Sequence, residues 1–358
     1  MRQRASGTAS RRVGIVGCGV IAVNHLRALQ HVKNVDVVAV CDRNAEIASS
    51  LAHRHCVPSV HTDLATMLSE ERLDVLHVTT PPRTHEAICG LALENGCDVL
   101  VEKPAALSLA ELDHMMMIGR ANDATLSVVH NGLFQEAFGR AVAAVREGAI
   151  GEIRSVHITD VCPWDHETVA KGDHWSHALP GGVFGEMLPH DVYLADGLVQ
   201  NLHVDDVRTR GPGQLPWLPV DRVHATLSSD FALVTIHAAV DSRAWNKTID
   251  ITGTAGAVRI DRMCDIVTFL HAAAFWTRRP HIDRVLSHVG GWMQQTAGIA
   301  AARLEGRPAS GHDTLIRSFY SALSEGALPP VSEDSMRQTT ALYEELMKAI
   351  DNDVISSR

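Results

Sequence analysis

The first third of the chain alternates short apolar runs with amphipathic stretches. Runs rich in Val, Ile and Leu predict strands at 12–16, 35–41, 75–79, 98–101 and 126–129. Helical spacing of apolar residues predicts helices between them, at 45–55, 64–71, 84–95 and 109–121. Parallel strands need crossover helices and are buried on both faces, so this alternation predicts an α/β fold with a doubly wound parallel sheet.

The pattern of apolar and polar residues changes after Gly151. Runs of β-forming residues follow one another with few helices between them, at 152–161, 223–227, 232–240, 247–253 and 257–260. Gly, Pro, Asn and Asp separate these runs, which is typical of a largely antiparallel, open sheet in an α+β domain. Helical patterns return at 282–305, 313–325 and 335–350.

A chain of 358 residues exceeds the usual size of a single core, about 100–200 residues, so two domains are expected. We predict a disordered arm over 1–11, a doubly wound domain over 12–130, an α+β domain over 131–334 and a C-terminal helix over 335–358. The apolar stretch 13–23 follows four arginines, as in an export signal, yet it also fits a core strand and its turn. No small-residue cleavage site follows it, and no apolar run reaches the ~18 residues of a membrane span.

Charge and cysteine content exclude some classes of protein. The formal net charge is −10, and no long Lys/Arg run offers a track for phosphates, so nucleic acid is not expected as a partner. Seven cysteines are scattered, with an odd total and no Cys-x-x-Cys pair. This pattern indicates reduced thiols and a cytoplasmic protein with no membrane partner, not a disulfide framework.

A glycine motif follows the first predicted strand. Residues 17–22 read Gly-Cys-Gly-Val-Ile-Ala and open a predicted helix. In this context Gly17 makes the tight turn, Gly19 lets the backbone approach a pyrophosphate, and Ala22 allows close helix packing. Asp42 ends the second strand, where a carboxylate accepts hydrogen bonds from ribose hydroxyls and favours NAD. Arg43 could receive the 2′-phosphate of NADP, so NADP is the alternative cofactor. The alternative to a nucleotide-binding motif is a tight turn followed by a solvated Asp.

Two more strands end in proline-containing segments. Thr79-Thr80-Pro81-Pro82 follows the third strand, and Glu102-Lys103-Pro104 follows the fourth. Open α/β sheets bind their ligands at these carboxyl ends. Pro104 keeps Lys103 extended at the strand tip, which places an ammonium beside the expected nicotinamide pocket.

These motifs, together with His85 and with Gly181-Gly182 ahead of His190, resemble the glucose–fructose oxidoreductase / inositol 2-dehydrogenase (Gfo/Idh/MocA) family. The resemblance runs from about residue 12 to the C-terminal helix. It implies a Rossmann domain, an open-sheet domain that often forms an oligomer interface, and NAD(P)-dependent hydride transfer at a secondary alcohol or ketone. A sugar, a cyclic polyol or a sugar derivative is the implied substrate, and a homodimer or homotetramer is the implied assembly.

Site residues carry over from the family position by position. Lys103 matches the lysine that contacts the reacting hydroxyl, Glu102 lies against the nicotinamide ribose, and His190 matches the acid/base histidine. The full set of expected cofactor contacts is Gly17, Gly19, Val20, Ile21, Asp42, Arg43, Thr80, Pro81, His85, Glu102, Lys103 and Asn131. Expected substrate contacts are Lys103, Trp175, Glu186 and His190. Glu186 and Tyr193 depart from the pattern, because the family usually has Asp at both positions.

The acid/base assignment also has a physical basis. Oxidation of an alcohol requires removal of the hydroxyl proton, and an imidazole such as that of His190 can take and return it near neutral pH. An ammonium such as that of Lys103 stabilises the developing alkoxide. Two alternatives remain open: an NAD-dependent glycoside hydrolase that works by transient oxidation and elimination, and a non-catalytic ligand sensor.

The loop 162–180 is rich in His and Trp. His166, His174 and His177 lack a recognised metal-ligand spacing, and oxidation by NAD needs no metal, so we predict none. Trp164 and Trp175 could stack on a sugar ring. A polar surface loop is the other interpretation.

Overall fold

The computed structural model describes residues 10–271, 289–290, 293, 296–297 and 310–356. The predicted helix at 282–305 lies largely outside these residues, as does most of the predicted N-terminal arm. The chain forms two compact units. Unit 1 contains residues 1–131 and 312–341, and unit 2 contains residues 132–311 and 342–358.

Unit 1 is built on a six-stranded parallel sheet with the strand order β3-β2-β1-β4-β5-β6. The strands are β1 (Arg11–Val16), β2 (Val35–Cys41), β3 (Ser59–His61), β4 (Val75–Val78), β5 (Asp98–Val101) and β6 (Leu126–Val128). The helices between them are α1 (Val20–Leu29), α2 (Ala45–His55), α3 (Leu64–Glu71), α4 (His85–Glu94) and α5 (Leu109–Ala121). The order reverses between β1 and β4, and such a switch point is where doubly wound sheets bind ligands.

The predicted parallel sheet is confirmed, and most element bounds agree within one residue. Strand β3 was not predicted because it has only three residues, none of them fully buried. The predicted disordered arm was too long, because β1 begins at Arg11 and the Arg11 N–H donates to the Asn34 carbonyl.

The C-terminal segment 312–341 belongs to unit 1, which differs from the predicted boundary that placed 131–334 in the second domain. It contains α9 (Gly311–Glu325) and the first part of α10 (Glu333–Ser356). Phe319 and Tyr320 of α9 are buried, and the Arg11 guanidinium donates to the Leu323 carbonyl at 2.9 Å. These long-range contacts complete the unit.

Unit 2 contains a seven-stranded sheet with the order β13-β12-β11-β7-β10-β9-β8. Its elements are α6 (Glu136–Arg146), β7 (Ile153–Pro163), α7 (Glu167–Ala170), α8 (Phe184–Leu198), β8 (His203–Arg210), β9 (Arg222–Ser228), β10 (Leu233–Ser242), β11 (Asn246–Gly253), β12 (Gly256–Asp261) and β13 (Ile266–His271). Among these described strands every pair is antiparallel except β7 with β10, so the largely antiparallel sheet is confirmed.

Helices α6, α7 and α8 and strands β8 and β13 were not predicted. Eleven of the fifteen residues of α8 are buried, so its sequence shows no polar face from which a helical period could be read. Strands such as β9 alternate buried and exposed residues, which leaves one face of the sheet exposed. No helix among the described residues has both the length and the apolar character needed to cross a bilayer.

Candidate active site

The glycine loop joins β1 to α1 in a conformation that only glycine adopts easily. Gly17 has φ +89°, and a Cβ placed there would lie 2.8 Å from the Thr79 carbonyl group. At Gly19, by contrast, a Cβ would meet no atom within 4 Å. Gly19 is the N-cap of α1 and has no side-chain cap, and the next residue, Val20, is 80% exposed. The helix N-terminus therefore presents open backbone N–H groups, which fits a pyrophosphate.

Asp42 lies at the carboxyl end of β2 and is tied to this loop. The Cys18 N–H donates to its Oδ2 at 2.8 Å, and the Asn44 N–H donates to its Oδ1 at 2.9 Å. A carboxylate has about four lone-pair sites, so two further acceptor positions fit ribose hydroxyls. Arg43 beside it is exposed. This geometry fits a dinucleotide site.

The segments after β4 and β5 are joined through His85. The His85 Nε2 atom lies 2.8 Å from the Thr80 carbonyl oxygen, and its Nδ1 atom lies 2.9 Å from the Pro104 carbonyl oxygen. Burial lowers the pKa of His85 although hydrogen bonds to both carbonyls oppose the shift. The ring was predicted as a cofactor contact, and the structure places it on these two backbone carbonyls, where it holds the two segments together.

Lys103 and Glu102 lie at the tip of β5, and both are buried. The Glu102 Oε1 atom lies 3.0 Å from His25 Nε2 and 3.5 Å from His312 Nε2. Its Oε2 accepts a hydrogen bond from the Lys103 N–H at 3.2 Å. Burial raises the pKa of Glu102, but hydrogen bonds from the two histidines outweigh this and hold the pKa well below 4.5.

His190 lies on α8 of unit 2 and is half-buried. Its Nδ1 atom is 2.7 Å from the Tyr193 hydroxyl, which also accepts a hydrogen bond from the Gly132 N–H at 3.0 Å. A phenol thus contacts His190 from the position where the family commonly has Asp. Glu186, four residues earlier on the same helix, is also half-buried.

A glycine turn and α10 fix the start of α8. Gly181 has φ +68°, and a Cβ there would lie 2.6 Å from the Met347 sulfur. The Gly181 N–H donates to Asp351 Oδ1 at 3.1 Å, and the Tyr343 hydroxyl donates to the Gly185 carbonyl at 3.2 Å. No local motif in the sequence marks these C-terminal contacts.

The His- and Trp-rich segment forms part of β7, helix α7 and a short turn at Trp175–Ala178. Trp175 is 38% exposed, and its ring centroid lies 5.1 Å from that of His174. The Arg243 guanidinium lies 5.2 Å from the centroid of the Trp164 ring. Within the described part of the chain, no group of three or more His, Cys, Asp or Glu side chains could hold a metal ion.

The structure connects four of the twelve predicted cofactor contacts within unit 1, namely Gly17, Asp42, Thr80 and His85. Asp42 contacts the Cys18 amide, Gly17 approaches Thr79 and Thr80, and His85 links Thr80 to Pro104. Pro81 follows Thr80 and is half-buried, as are Ile21 and Asn131. Trp175, Glu186 and His190 belong to unit 2. The residues His25, His77 and His312 were not predicted. His77 lies among apolar residues in β4, and a polar residue in such a strand is a signal of a buried polar group.

The fold and the glycine loop define a dinucleotide-binding protein of the Rossmann type. Residues 11–130 match the model of the GFO/IDH/MocA oxidoreductase family with an NAD-binding Rossmann fold, and residues 138–259 match the C-terminal domain of the same family. The chain belongs to this family, which confirms the resemblance seen in its motifs and the expected NAD-binding domain.

Curated relatives include sugar and inositol dehydrogenases, a sugar-nucleotide reductase and dehydrogenases named for cyclic diene diols. The chain is 31% identical to D-apiose dehydrogenase of Paraburkholderia graminis over 137 residues, which is 38% of this chain and 36% of that enzyme. It is 26% identical to dTDP-3,4-didehydro-2,6-dideoxy-alpha-D-glucose 3-reductase of Streptomyces antibioticus, covering 91% of this chain and 93% of that one. The first three curated relatives are matched over only 36% to 58% of their own length.

A solved structure shares the whole fold. The WlbA dehydrogenase of Bordetella pertussis, in complex with NADH and UDP-GlcNAcA, superposes with a TM-score of 0.78 at 20% identity. The match covers 99% of this chain and 98% of that one. At this identity the likeness shows the fold alone.

Proposed function

We propose that this protein is an NAD-dependent oxidoreductase that transfers hydride between nicotinamide and a secondary alcohol or ketone of a sugar, polyol or sugar derivative. The observation that carries the proposal is the open glycine loop at the N-terminus of α1, with Asp42 bound to its backbone. The buried Lys103 at the tip of β5, two strands from β1, adds the charge that this chemistry needs. The named sugar substrates of the relatives support the substrate class.

Each residue of the site then has a defined task. The backbone N–H groups at Gly19 and Val20 would hold the pyrophosphate, and Asp42 would accept hydrogen bonds from the adenosine ribose. NAD supplies the hydride chemistry, and the protein supplies orientation and charge. Lys103 stabilises negative charge on the substrate oxygen. His190 takes the hydroxyl proton in oxidation and returns it in reduction.

The proposed role of His190 requires the tautomer in which Nδ1 donates to the Tyr193 hydroxyl, one of the two directions that this contact permits. The Tyr193 oxygen accepts the Gly132 N–H and has a second lone pair for an N–H at His190 Nδ1. In the tautomer with the proton on Nδ1, Nε2 is the ring nitrogen that would act as the base. A neutral phenol leaves less negative charge behind the imidazole than the aspartate that the family commonly has at this position.

The proposal extends to the assembly and the compartment. The exposed face of the seven-stranded sheet fits a homodimer or homotetramer interface, as the family resemblance implies. All seven cysteines are free thiols, and five of them are buried. Unpaired thiols support a reducing, cytoplasmic location.

The test is nicotinamide absorbance with purified protein. NAD and NADP are assayed separately against inositols, aldoses including apiose, nucleotide sugars, glycosides and their keto forms. We expect turnover with NAD. His190→Ala should lower kcat by about 10²–10⁴-fold, the usual range for a general acid or base. Lys103→Ala should lower kcat by about 10²–10³-fold.

Exposed residues of unit 1 supply matched controls. His31→Ala and Lys33→Ala remove the same side-chain types from the surface and should leave kcat unchanged. Bound NAD without turnover on any substrate would contradict the dehydrogenase proposal. Release of sugar from a chromogenic glycoside would then indicate the hydrolase, and its absence would indicate the sensor.

A further inference from the structure

Four buried side chains, Tyr320, His77, His25 and Glu102, form a hydrogen-bonded chain in unit 1, and the half-buried His312 lies beside it. Of these five, only Glu102 is an expected cofactor contact. The Tyr320 hydroxyl lies 2.8 Å from His77 Nε2, and His77 Nδ1 lies 2.7 Å from His25 Nδ1. His25 Nε2 lies 3.0 Å from Glu102 Oε1, which His312 also approaches at 3.5 Å. His25 and His77 are fully buried. The elements that contribute are α1, β4, the tip of β5 and α9.

The hydrogen-bond partners allow one arrangement of protons when both imidazoles are neutral. A carboxylate only accepts, so His25 Nε2 must donate to Glu102 and His25 Nδ1 must accept. His77 Nδ1 therefore donates to His25, and His77 Nε2 accepts. The Tyr320 hydroxyl is then the donor to His77. Burial lowers the pKa of both imidazoles, which supports the neutral forms.

We propose that Tyr320, His77 and His25 form a positioning relay that orients the Glu102 carboxylate and, through it, the backbone of Lys103. Every hydrogen bond of the relay points toward Glu102. One carboxylate oxygen is held by His25 and His312, which leaves the other to accept the Lys103 N–H. This amide lies at the tip of β5. The relay therefore positions the backbone from which the Lys103 side chain and its ammonium group extend. The functional part of this inference rests on the proposed function.

The relay acts by orientation and not by conducting protons. Burial raises the pKa of the Tyr320 phenol well above 10, so the hydroxyl keeps its proton near neutral pH. Tyr320 is a donor that locks the tautomer of His77, and His77 in turn locks that of His25. A helix from the C-terminal part of the chain thus sets the orientation of a side chain at a strand tip of the dinucleotide domain.

The first test reads the tautomers directly in the wild-type protein without cofactor or substrate. Long-range ¹H–¹⁵N spectra of ¹⁵N-histidine-labelled protein are recorded, and His25→Gln and His77→Gln assign the signals. The relay requires the proton of His25 on Nε2 and the proton of His77 on Nδ1. Either the opposite tautomer or a rapidly exchanging mixture at His25 or His77 would overturn it.

The second test removes the terminal donor. Tyr320→Phe deletes only the hydroxyl and leaves His77 Nε2 without its donor, so we expect a mixture of tautomers at His77 and His25. Hydrogen exchange at the Lys103 amide should become faster. With a substrate in hand, kcat should fall by about tenfold, as for one lost buried hydrogen bond, while the KM for NAD changes less.

Thr339→Val is the matched control, because it removes a buried hydroxyl of unit 1 that bonds only within its own helix. It should leave the histidine tautomers and the Lys103 exchange rate unchanged. Equal effects of Tyr320→Phe and Thr339→Val on Lys103 exchange would show a general structural role and overturn the relay. The spectra and exchange rates need no substrate. A protein inactive on every sugar would therefore contradict the proposed function, while the tautomers and the Lys103 exchange rate would still test the relay.

Discussion

At the scale of single residues, the sequence was most informative at the glycine loop between β1 and α1. Gly17, Gly19 and Asp42 were predicted from their spacing. The structure explains Gly17 by its positive φ and ties Asp42 to the Cys18 amide, while the cofactor roles of all three stay predictions. His77 and Tyr320 could not be found in this way. They are 243 residues apart in the sequence, and no local motif marks two side chains that meet only in the folded protein.

Asp42→Ala tests cofactor choice at this scale. The variant removes the acceptor for the ribose and for the Cys18 and Asn44 amides. We expect the Kd for NAD to rise by about tenfold, as for one lost hydrogen bond to a charged group, and the Kd for NADP to change less. Fluorescence titration with NADH and NADPH measures both. Asp36→Ala, at an exposed position of β2, is the control. An equal loss of affinity for both cofactors would show that Asp42 does not discriminate between them.

At the scale of elements, local signals decided what could be predicted. Helix α5 was predicted with its observed bounds because Ser108 caps it and accepts a hydrogen bond from the Glu111 N–H. Helix α8 escaped prediction because its buried residues surround the helix and leave no amphipathic period. It carries the proposed acid/base residue, so the sequence identified His190 by family motif without identifying the helix that holds it.

Helix α8 is also anchored by buried charges that sequence spacing does not reveal. Asp191 Oδ1 accepts a hydrogen bond from the Arg262 guanidinium at 2.8 Å, and Asp160 binds the Lys247 ammonium at 2.9 Å. Both carboxylates are fully buried. Burial and the negative charge of Asp160 raise the pKa of Asp191 from 3.8 to about 7, against the attraction of Arg262 and Lys247.

This raised pKa predicts the pH dependence of stability. Between about pH 4 and pH 7 the unfolded chain loses the Asp191 proton while the folded protein keeps it. The unfolded state then binds fewer protons, so the free energy of unfolding falls as the pH rises through this window. Asp191→Asn cannot titrate and should remove this part of the slope, which is about 1.4 kcal/mol per pH unit inside the window.

Urea unfolding from pH 4 to pH 8 measures the difference between wild type and variant. Asp230→Asn, at an exposed position, should keep the wild-type slope. A difference between wild type and Asp191→Asn that stays constant with pH would show that Asp191 is ionised throughout this range in the folded protein.

At the scale of the whole molecule, the two kinds of sheet followed from the change of pattern near residue 151, but the division of the chain did not. Pattern reading assigns consecutive residues to one domain, whereas unit 1 contains segment 312–341 in addition to segment 1–131. Single contacts between residues far apart in the sequence hold this segment in unit 1, such as the hydrogen bond from Arg11 to the Leu323 carbonyl. Nothing in the local pattern of α9 distinguishes a helix that packs on one domain from a helix that packs on the other.

Phe319→Ala tests to which unit α9 belongs. Phe319 is fully buried, and its truncation should destabilise unit 1 by about 3–5 kcal/mol. Local stability differs between cooperative parts of a protein, so hydrogen exchange should become faster in strands β1, β4 and β5 and remain slow in β7 and β10. Ile249→Ala removes a fully buried side chain from β11 and should produce the reverse pattern. If Phe319→Ala instead accelerated exchange mainly in β7 and β10, α9 would belong with the second sheet, and Tyr320 could not support the orientation of Glu102 within unit 1.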